Sequence, residues 1–245
     1  MSGERVRVTQ IDLGEGIRAG FSDRSGGVSR APFEHLNLGL HVGDDPAHAQ
    51  RNRELLGSWL GAPITFVSQV HGADVLDLDG TPSQAPPQAD AIVSTTGAGI
   101  GVMVADCVPV LLADADAGVV ATAHAGRPGL VAGVVPNAVA AMVRRGARPG
   151  RIRAGVGPSI CGDCYEVPPV MRDEVEAAVP GTAGTTSWGT PSVDIATGVL
   201  SQLRSLGVER VHRVPGCTYT DERYFSYRRE GVTGRFAGVI ALQRP

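Results

Sequence analysis

The chain has 245 residues, 42% of them hydrophobic and 19% charged, which provides enough apolar material for a sizeable core and excludes a disordered chain. With 22 basic residues against 25 acidic ones, a net charge of -3 and only 4% aromatics, it lacks the electrostatic footprint of a nucleic-acid binder or membrane-surface protein, so small molecules are the expected partners. No window reaches the roughly 18 consecutive apolar residues of a spanning helix, the first residues lack the apolar run of a secretory signal, and Cys107, Cys161, Cys164 and Cys217 are too few for a disulfide framework; a cytoplasmic location is expected.

Residues 17–23 read as a short strand that runs into a Gly-rich loop, Arg24-Ser25-Gly26-Gly27-Val28-Ser29, followed by a long irregular stretch in which Leu36 to Leu40 alternates. Asp45 as N-cap and Pro46 at the first position predict a helix through about Leu60. A β-rich run over 64–70 ends at His71, and a polar, Pro-rich loop covers 81–88. The most apolar part of the chain lies between Gly97 and His124, where 100–105, 108–113 and 119–123 read as buried strands. Helices are predicted over 131–145, 170–178 and 192–206, with strands over 152–155, 211–214 and 235–242. The interleaving predicts one mixed α/β domain spanning 1–245.

His71, Cys107 and His124 sit at strand ends or breaks, where a rigid sheet presents side chains to a cleft. Two neutral imidazoles and a thiolate hold Zn²⁺ tetrahedrally and leave a fourth position open. The spacing is not that of a zinc finger or an H-E-x-x-H helix, and each residue alone reads more often as an ordinary structural side chain. Cys161-Gly162-Asp163-Cys164 has no second C-x-x-C and no thioredoxin-like context, so packing is its simpler reading. Arg24, Arg228 and Arg229 are candidates for holding an anion, because a guanidinium fork matches phosphate. Asp106, beside Cys107, is a candidate acid–base or ligand-orienting group.

The motifs Phe21-Ser22-Asp23-Arg24-Ser25-Gly26-Gly27, Leu36-Asn37-Leu38-Gly39, Gln69-Val70-His71-Gly72, Ala105-Asp106-Cys107-Val108-Pro109, Ala123-His124-Ala125-Gly126, Tyr165-Glu166-Val167 and Phe225-Ser226-Tyr227-Arg228-Arg229 together resemble the YfiH-like family, across nearly the whole chain. That family has been labelled laccase-domain or multicopper polyphenol oxidase, peptidoglycan editing factor and purine nucleoside phosphorylase. The resemblance implies a layered α-β-β-α sandwich with mixed sheets, akin to the cytotoxic necrotizing factor fold, and a zinc held by His71, Cys107 and His124. It implies phosphorolysis of adenosine, inosine, guanosine and methylthioadenosine, together with hydrolytic deamination of adenosine. Asp106 and Cys107 are then the catalytic candidates, and Arg24, Asn37, Gln69 and Arg228 the candidates for binding nucleoside and phosphate.

One departure concerns the third ligand. The family usually reads His-Ala-Gly-Trp-Arg-Gly, whereas this chain reads His124-Ala125-Gly126-Arg127-Pro128-Gly129. An aromatic able to stack on a base is absent and the cation is shifted by one position, which bears on phosphorolysis; Pro128 also suits the opening of a helix. Copper is the less favoured metal, because six histidines without a His-x-His pair do not furnish a multicopper set. A hydrolase acting on a peptidoglycan precursor, and a zinc-binding protein that has lost catalysis, are the remaining alternatives.

Overall fold

The computed structural model describes residues 5–78 and 87–243; the Pro-rich loop expected over 81–88 lies largely outside them. Strands β1 (Val8–Ile11), β2 (Ile17–Ser22), β3 (Ile64–Thr65), β4 (Val75–Leu78), β5 (Ala91–Ser94), β6 (Gly99–Val104), β7 (Val108–Asp114), β8 (Val119–Ala125), β9 (Arg153–Val156), β10 (Ala183–Thr185), β11 (Pro191–Val193), β12 (Arg210–Arg213) and β13 (Phe236–Leu242) form three sheets. A five-stranded sheet runs β1-β2-β13-β6-β3, a six-stranded mixed sheet runs β12-β9-β7-β8-β5-β4, and β10 and β11 make a separate hairpin. The helices are α1 (Pro46–Leu60), α2 (Arg127–Ala132), α3 (Val134–Arg144), α4 (Pro169–Ala178), α5 (Ile195–Ser205) and α6 (Tyr227–Glu230).

The two large sheets face each other, and their parity explains the apolar run between Gly97 and His124. In β7, Val108, Val110 and Leu112 pack with α3 and α5, while Leu111 and Ala113 enter the core between the sheets. In β8, Ala121, Ala123 and Ala125 turn toward the helices, and Val120 turns inward with Phe21, Ile100, Val102, Phe236 and Ile240. Strands covered on both faces need apolar residues at every position, so they read as continuous runs rather than as alternation. On the outer face of the five-stranded sheet, Leu56 and Leu60 of α1 pack against Leu36, Leu38, Met103, Ala237 and Val239. Each such leucine contributes about 1.5–3 kcal/mol relative to exposure. The order helix, sheet, sheet, helix is the expected layering.

Helix α1 begins as its cap requires, the Asp45 carboxylate accepting from Ala47 N at 2.9 Å, with Pro46 opening the first turn. The helix expected over 131–145 starts earlier and is broken. Arg127 and Pro128 open α2, and Gly133, at φ 86°, ends it before α3 begins. The helix expected from 192 starts at Ile195, because Pro191–Val193 pair with β10.

The irregular stretch after β2 is held by a buried amide. Asn52 of α1 accepts from Val28 N at 2.9 Å and donates to Ser29 Oγ, His35 O and Asn37 O at 2.9, 3.1 and 2.8 Å. A buried asparagine with its donors and acceptor filled replaces the ladder that this segment lacks.

Candidate metal centre and cavity

Three adjacent strands of the six-stranded sheet assemble the centre at one end. The register Ala91↔Ala123 continues to the pair Asp90 and His124, where His124 N donates to Asp90 O at 2.7 Å, and on the other side Pro109 pairs with His124. Asp90, His124 and Cys107 share the parity of Ile92, Val120 and Leu111, so all three side chains face the gap between the sheets. Cys107 ends the short turn by which the chain leaves β6 in one sheet and enters β7 in the other.

His71 arrives on a loop. Its own N–H donates to Asp90 Oδ1 at 2.9 Å, and Val70 N and Gly72 N donate to Oδ2 at 3.1 and 2.7 Å. His124 Nδ1 donates to the same Oδ1 at 2.8 Å, which leaves Nε2 as the free nitrogen of that ring. One buried carboxylate thereby orients the His124 ring and pins the backbone of the loop that carries His71, and the sequence reading missed it. A donor atom from each of His71, Cys107 and His124 lies within 4.8 Å of the others, with Cys107 Sγ 3.8 Å from His71 Nε2. His71 at φ 60° and Asp106 at φ 96° are the non-glycine residues at positive φ among the described residues. Each costs of order 1–3 kcal/mol, and both flank the cluster.

Burial opposes charge on the Cys107 thiol, yet the His124 and His71 rings outweigh it and bring its pKa down to about 6. Burial also opposes charge on His124, but the facing thiolate and Asp90 push it up to about 9. The Asp90 carboxyl would rise by burial, and the bonds from His124, Gly72 and Val70 hold it below the usual carboxylate range. The opposite shifts favour a thiolate facing a protonated His124 ring, and a cation taking the place of the Nε2 proton would find a sulfur already disposed to ionise.

Gly126, directly after β8, allows this approach. A Cβ there would stand 2.6 Å from His71 Cδ2 and 3.1 Å from Cys107 Sγ. A Gly126→Ala chain is expected to fold and to bind metal at least about 10-fold more weakly, since ligand placement is disturbed. Metal retention on dialysis checks this, and wild-type retention in the folded variant would show that the contact is relieved harmlessly.

The cluster forms one wall of a cavity of about 450 Å³, within the range of small-molecule sites. His41, Gln69, Met103 to Asp106, Tyr165, Tyr227, Arg228 and Arg235 complete the lining. Gln69 is spent on the backbone of Met103, donating to its O at 2.7 Å and accepting from its N at 2.8 Å, so it extends the sheet edge toward His71. Arg228 lies over the Tyr165 ring at 5.0 Å and donates to Glu166 O at 2.8 Å. Arg235 donates to the carbonyls of Thr233 and Gly234. Arg127 stands beside the Tyr165 hydroxyl; burial raises that hydroxyl's pKa, while Arg127 and Arg228 act against it.

Asp106 also lines the cavity, but Thr218 Oγ1 donates to one carboxylate oxygen at 2.6 Å and Arg228 N to the other at 2.7 Å. It ties the α6 loop and the Thr218 loop to the turn that carries Cys107. Two expected binding residues are not brought to the cavity. Arg24 donates to Glu34 O at 2.9 Å and Glu230 Oε1 at 3.0 Å and stacks on Phe225. Asn37 is fully buried, bonded to Gly39, Asp44 and Arg235 N. Arg229 is likewise spent on the carbonyls of Thr218, Tyr219 and Tyr224. Arg235, His41 and the two tyrosines could not be singled out because chain folding, not local sequence, places them there.

A family model described as multi-copper polyphenol oxidoreductase laccase matches residues 18–243. The chain is 51% identical to a purine nucleoside phosphorylase of Streptomyces coelicolor, over 96% of this chain and 99% of that one. It is 40% identical to the purine nucleoside phosphorylase YfiH of Escherichia coli, over 97% and 99% of the two chains. A crystal structure of a Neisseria meningitidis protein matches with a TM-score of 0.88 at 34% identity, covering 98% of this chain and 100% of the other. YlmD from Geobacillus stearothermophilus matches at 0.86 and 32%, covering 94% and 93%. With the fold, the whole-length relatives and the family model in agreement, the chain belongs to the laccase-domain, YfiH-like family.

Proposed function

We propose that this chain is a zinc-dependent purine nucleoside phosphorylase that also deaminates adenosine hydrolytically. The observation that carries the proposal is the His71–Cys107–His124 cluster set in the wall of a nucleoside-sized cavity that Arg228 and Arg235 also line, in a chain whose relatives are named purine nucleoside phosphorylases. The donor set fits zinc: two imidazoles, one of them braced by a carboxylate, and a thiol poised to ionise. When bound, the ion supplies Lewis-acid polarisation and lowers the pKa of a water, the chemistry that deamination at purine C6 requires.

The chain's own residues supply binding and charge. Arg228 keeps guanidinium N–H groups beyond its one bond to Glu166 O, and Arg235 adds a second cation, so the cavity attracts phosphate. Tyr165, Tyr227 and Met103 offer apolar faces for a purine. Asp106 holds the Arg228 backbone and the Cys107 turn in register, and its carboxylate remains the candidate for moving a proton at the purine. Arg127, at the head of α2, supplies charge at the position where the family usually has an aromatic, through the Tyr165 hydroxyl.

A His₂Cys set also suits copper, and a multicopper oxidase needs several clustered histidines. Among the described residues His71 and His124 are the histidines that converge with Cys107; His35, His48 and His212 join no such cluster. The test is to purify the full chain without added metal, assay bound metal, and incubate with adenosine with and without phosphate. Zinc is expected, with adenine and ribose 1-phosphate formed only with phosphate and inosine formed in either case. Bound zinc with no consumption of adenosine, or an intensely coloured copper protein, would sink the reading.

A further inference from the structure

The other three cysteines also come together, on loops that the candidate centre does not use. Cys161 and Cys164 follow β9, in a turn where Cys164 N and Tyr165 N both donate to Cys161 O, at 3.0 and 2.9 Å. Cys217 follows β12. A parallel bridge between Ser159 and Cys217 joins the two loops, with Thr218 N donating to Ser159 O at 3.1 Å. The three Sγ atoms lie within 4.8 Å of one another, all are free thiols, and Cys161 N donates to Cys217 Sγ at 3.4 Å. Cys164 is buried while Cys161 and Cys217 are half-buried, so the cluster is anchored within the protein and open on one side.

We propose that Cys161, Cys164 and Cys217 form a second metal site, all-thiolate, that takes a thiophilic d¹⁰ cation of the Zn²⁺ class. Three sulfurs with no carboxylate or imidazole in the cluster select soft ions over magnesium or calcium. A tetrahedral ion with Zn–S bonds of about 2.3 Å holds its sulfurs about 3.8 Å apart, a spacing compatible with three sulfurs that lie within 4.8 Å of one another. Binding releases the three thiol protons and leaves three thiolates on the ion, one of them already receiving the Cys161 N–H. Packing alone would account for Cys164, which is buried. It does not account for two further, half-buried thiols meeting it, Cys161 from the same turn and Cys217 from a separate loop. The fourth position is left to solvent or an added ligand.

The location gives the site a task. Tyr165, directly after Cys164, and Thr218, directly after Cys217, respectively line the cavity and hold Asp106. An ion clamping the two loops would fix that wall of the cavity without entering it.

Because the proposal concerns residues outside the first cluster, its test begins from a Cys107→Ala chain, in which the first cluster has lost its thiolate. Zinc is added, excess is removed over a weak chelator, and the retained metal is assayed. One equivalent retained in that chain, and none after Cys161→Ser or Cys217→Ser is added to it, is the expected result. The wild-type chain serves as a control that needs no folded variant: zinc should slow alkylation of Cys161, Cys164 and Cys217 by at least about 10-fold, as read by peptide mapping. No retained zinc in the Cys107→Ala chain together with unprotected thiols in the wild type overturns the proposal. So does recovery of the wild type with a disulfide between two of the three, which would make the cluster a redox pair.

Discussion

A Cys107→Ser chain should leave purification folded, with metal affinity at the His71 centre reduced by at least about 100-fold and nucleoside turnover lost with it. Losing a brace behind a ligand costs 10–100-fold, and here the ligand itself is replaced by a hydroxyl that does not ionise near neutral pH. Cys107 packs at the edge of the inter-sheet core and β7 begins after it, so the exchange leaves the strand ladder in place. The imidazoles should report the change as well. The Cys107 charge pushes the His124 pKa up, so its removal should bring that pKa down from about 9, measurable by NMR titration of the metal-free chain. Undiminished zinc at this centre, assayed with the three-thiol cluster alkylated, would remove Cys107 from the ligand set.

What the sequence disclosed and what it hid follow one physical rule. Local chemistry was legible: the Asp45-Pro46 start of α1, the apolar β6–β8 run, and the His71, Cys107 and His124 contexts. Pairing across strands was not. Asp90 precedes a four-residue strand and reads as an ordinary turn residue; only the β5–β8 register sets it against His124. Cys161 and Cys164 looked isolated because Cys217 joins them through a bridge between distant loops. Arg24 looked like an anion ligand beside a glycine loop, but the fold gives it Glu34, Glu230 and Phe225 instead. The hairpin β10–β11, rich in Gly and Thr, and the Gly133 break within a helical pattern carry too little periodicity to be placed from sequence.

Asp90→Ala is expected to be the most damaging single change to the centre. The Asp90 side chain is fully buried and accepts from Val70 N, His71 N, Gly72 N and His124 Nδ1, so alanine strands four donors at once. Breaking such a buried charged network costs about 3–5 kcal/mol of stability. The pH dependence should change with it. The Asp90 pKa is depressed in the folded protein, so its contribution is present above the unfolded value of about 3.9 and is lost as pH falls through the lower folded value. The Asp90→Ala chain should lack that part of the acid transition and already be less stable at neutral pH. Asp90→Asn separates structure from positioning, because the amide keeps the volume and one acceptor but turns its NH₂ toward donors. If Asp90 orients the ligands, the folded Asp90→Asn chain should bind zinc about 10–100-fold more weakly at the His71 centre. Wild-type affinity in a folded Asp90→Asn chain would reduce Asp90 to a structural bond and leave the orientation of His71 and His124 to their strands and loop alone.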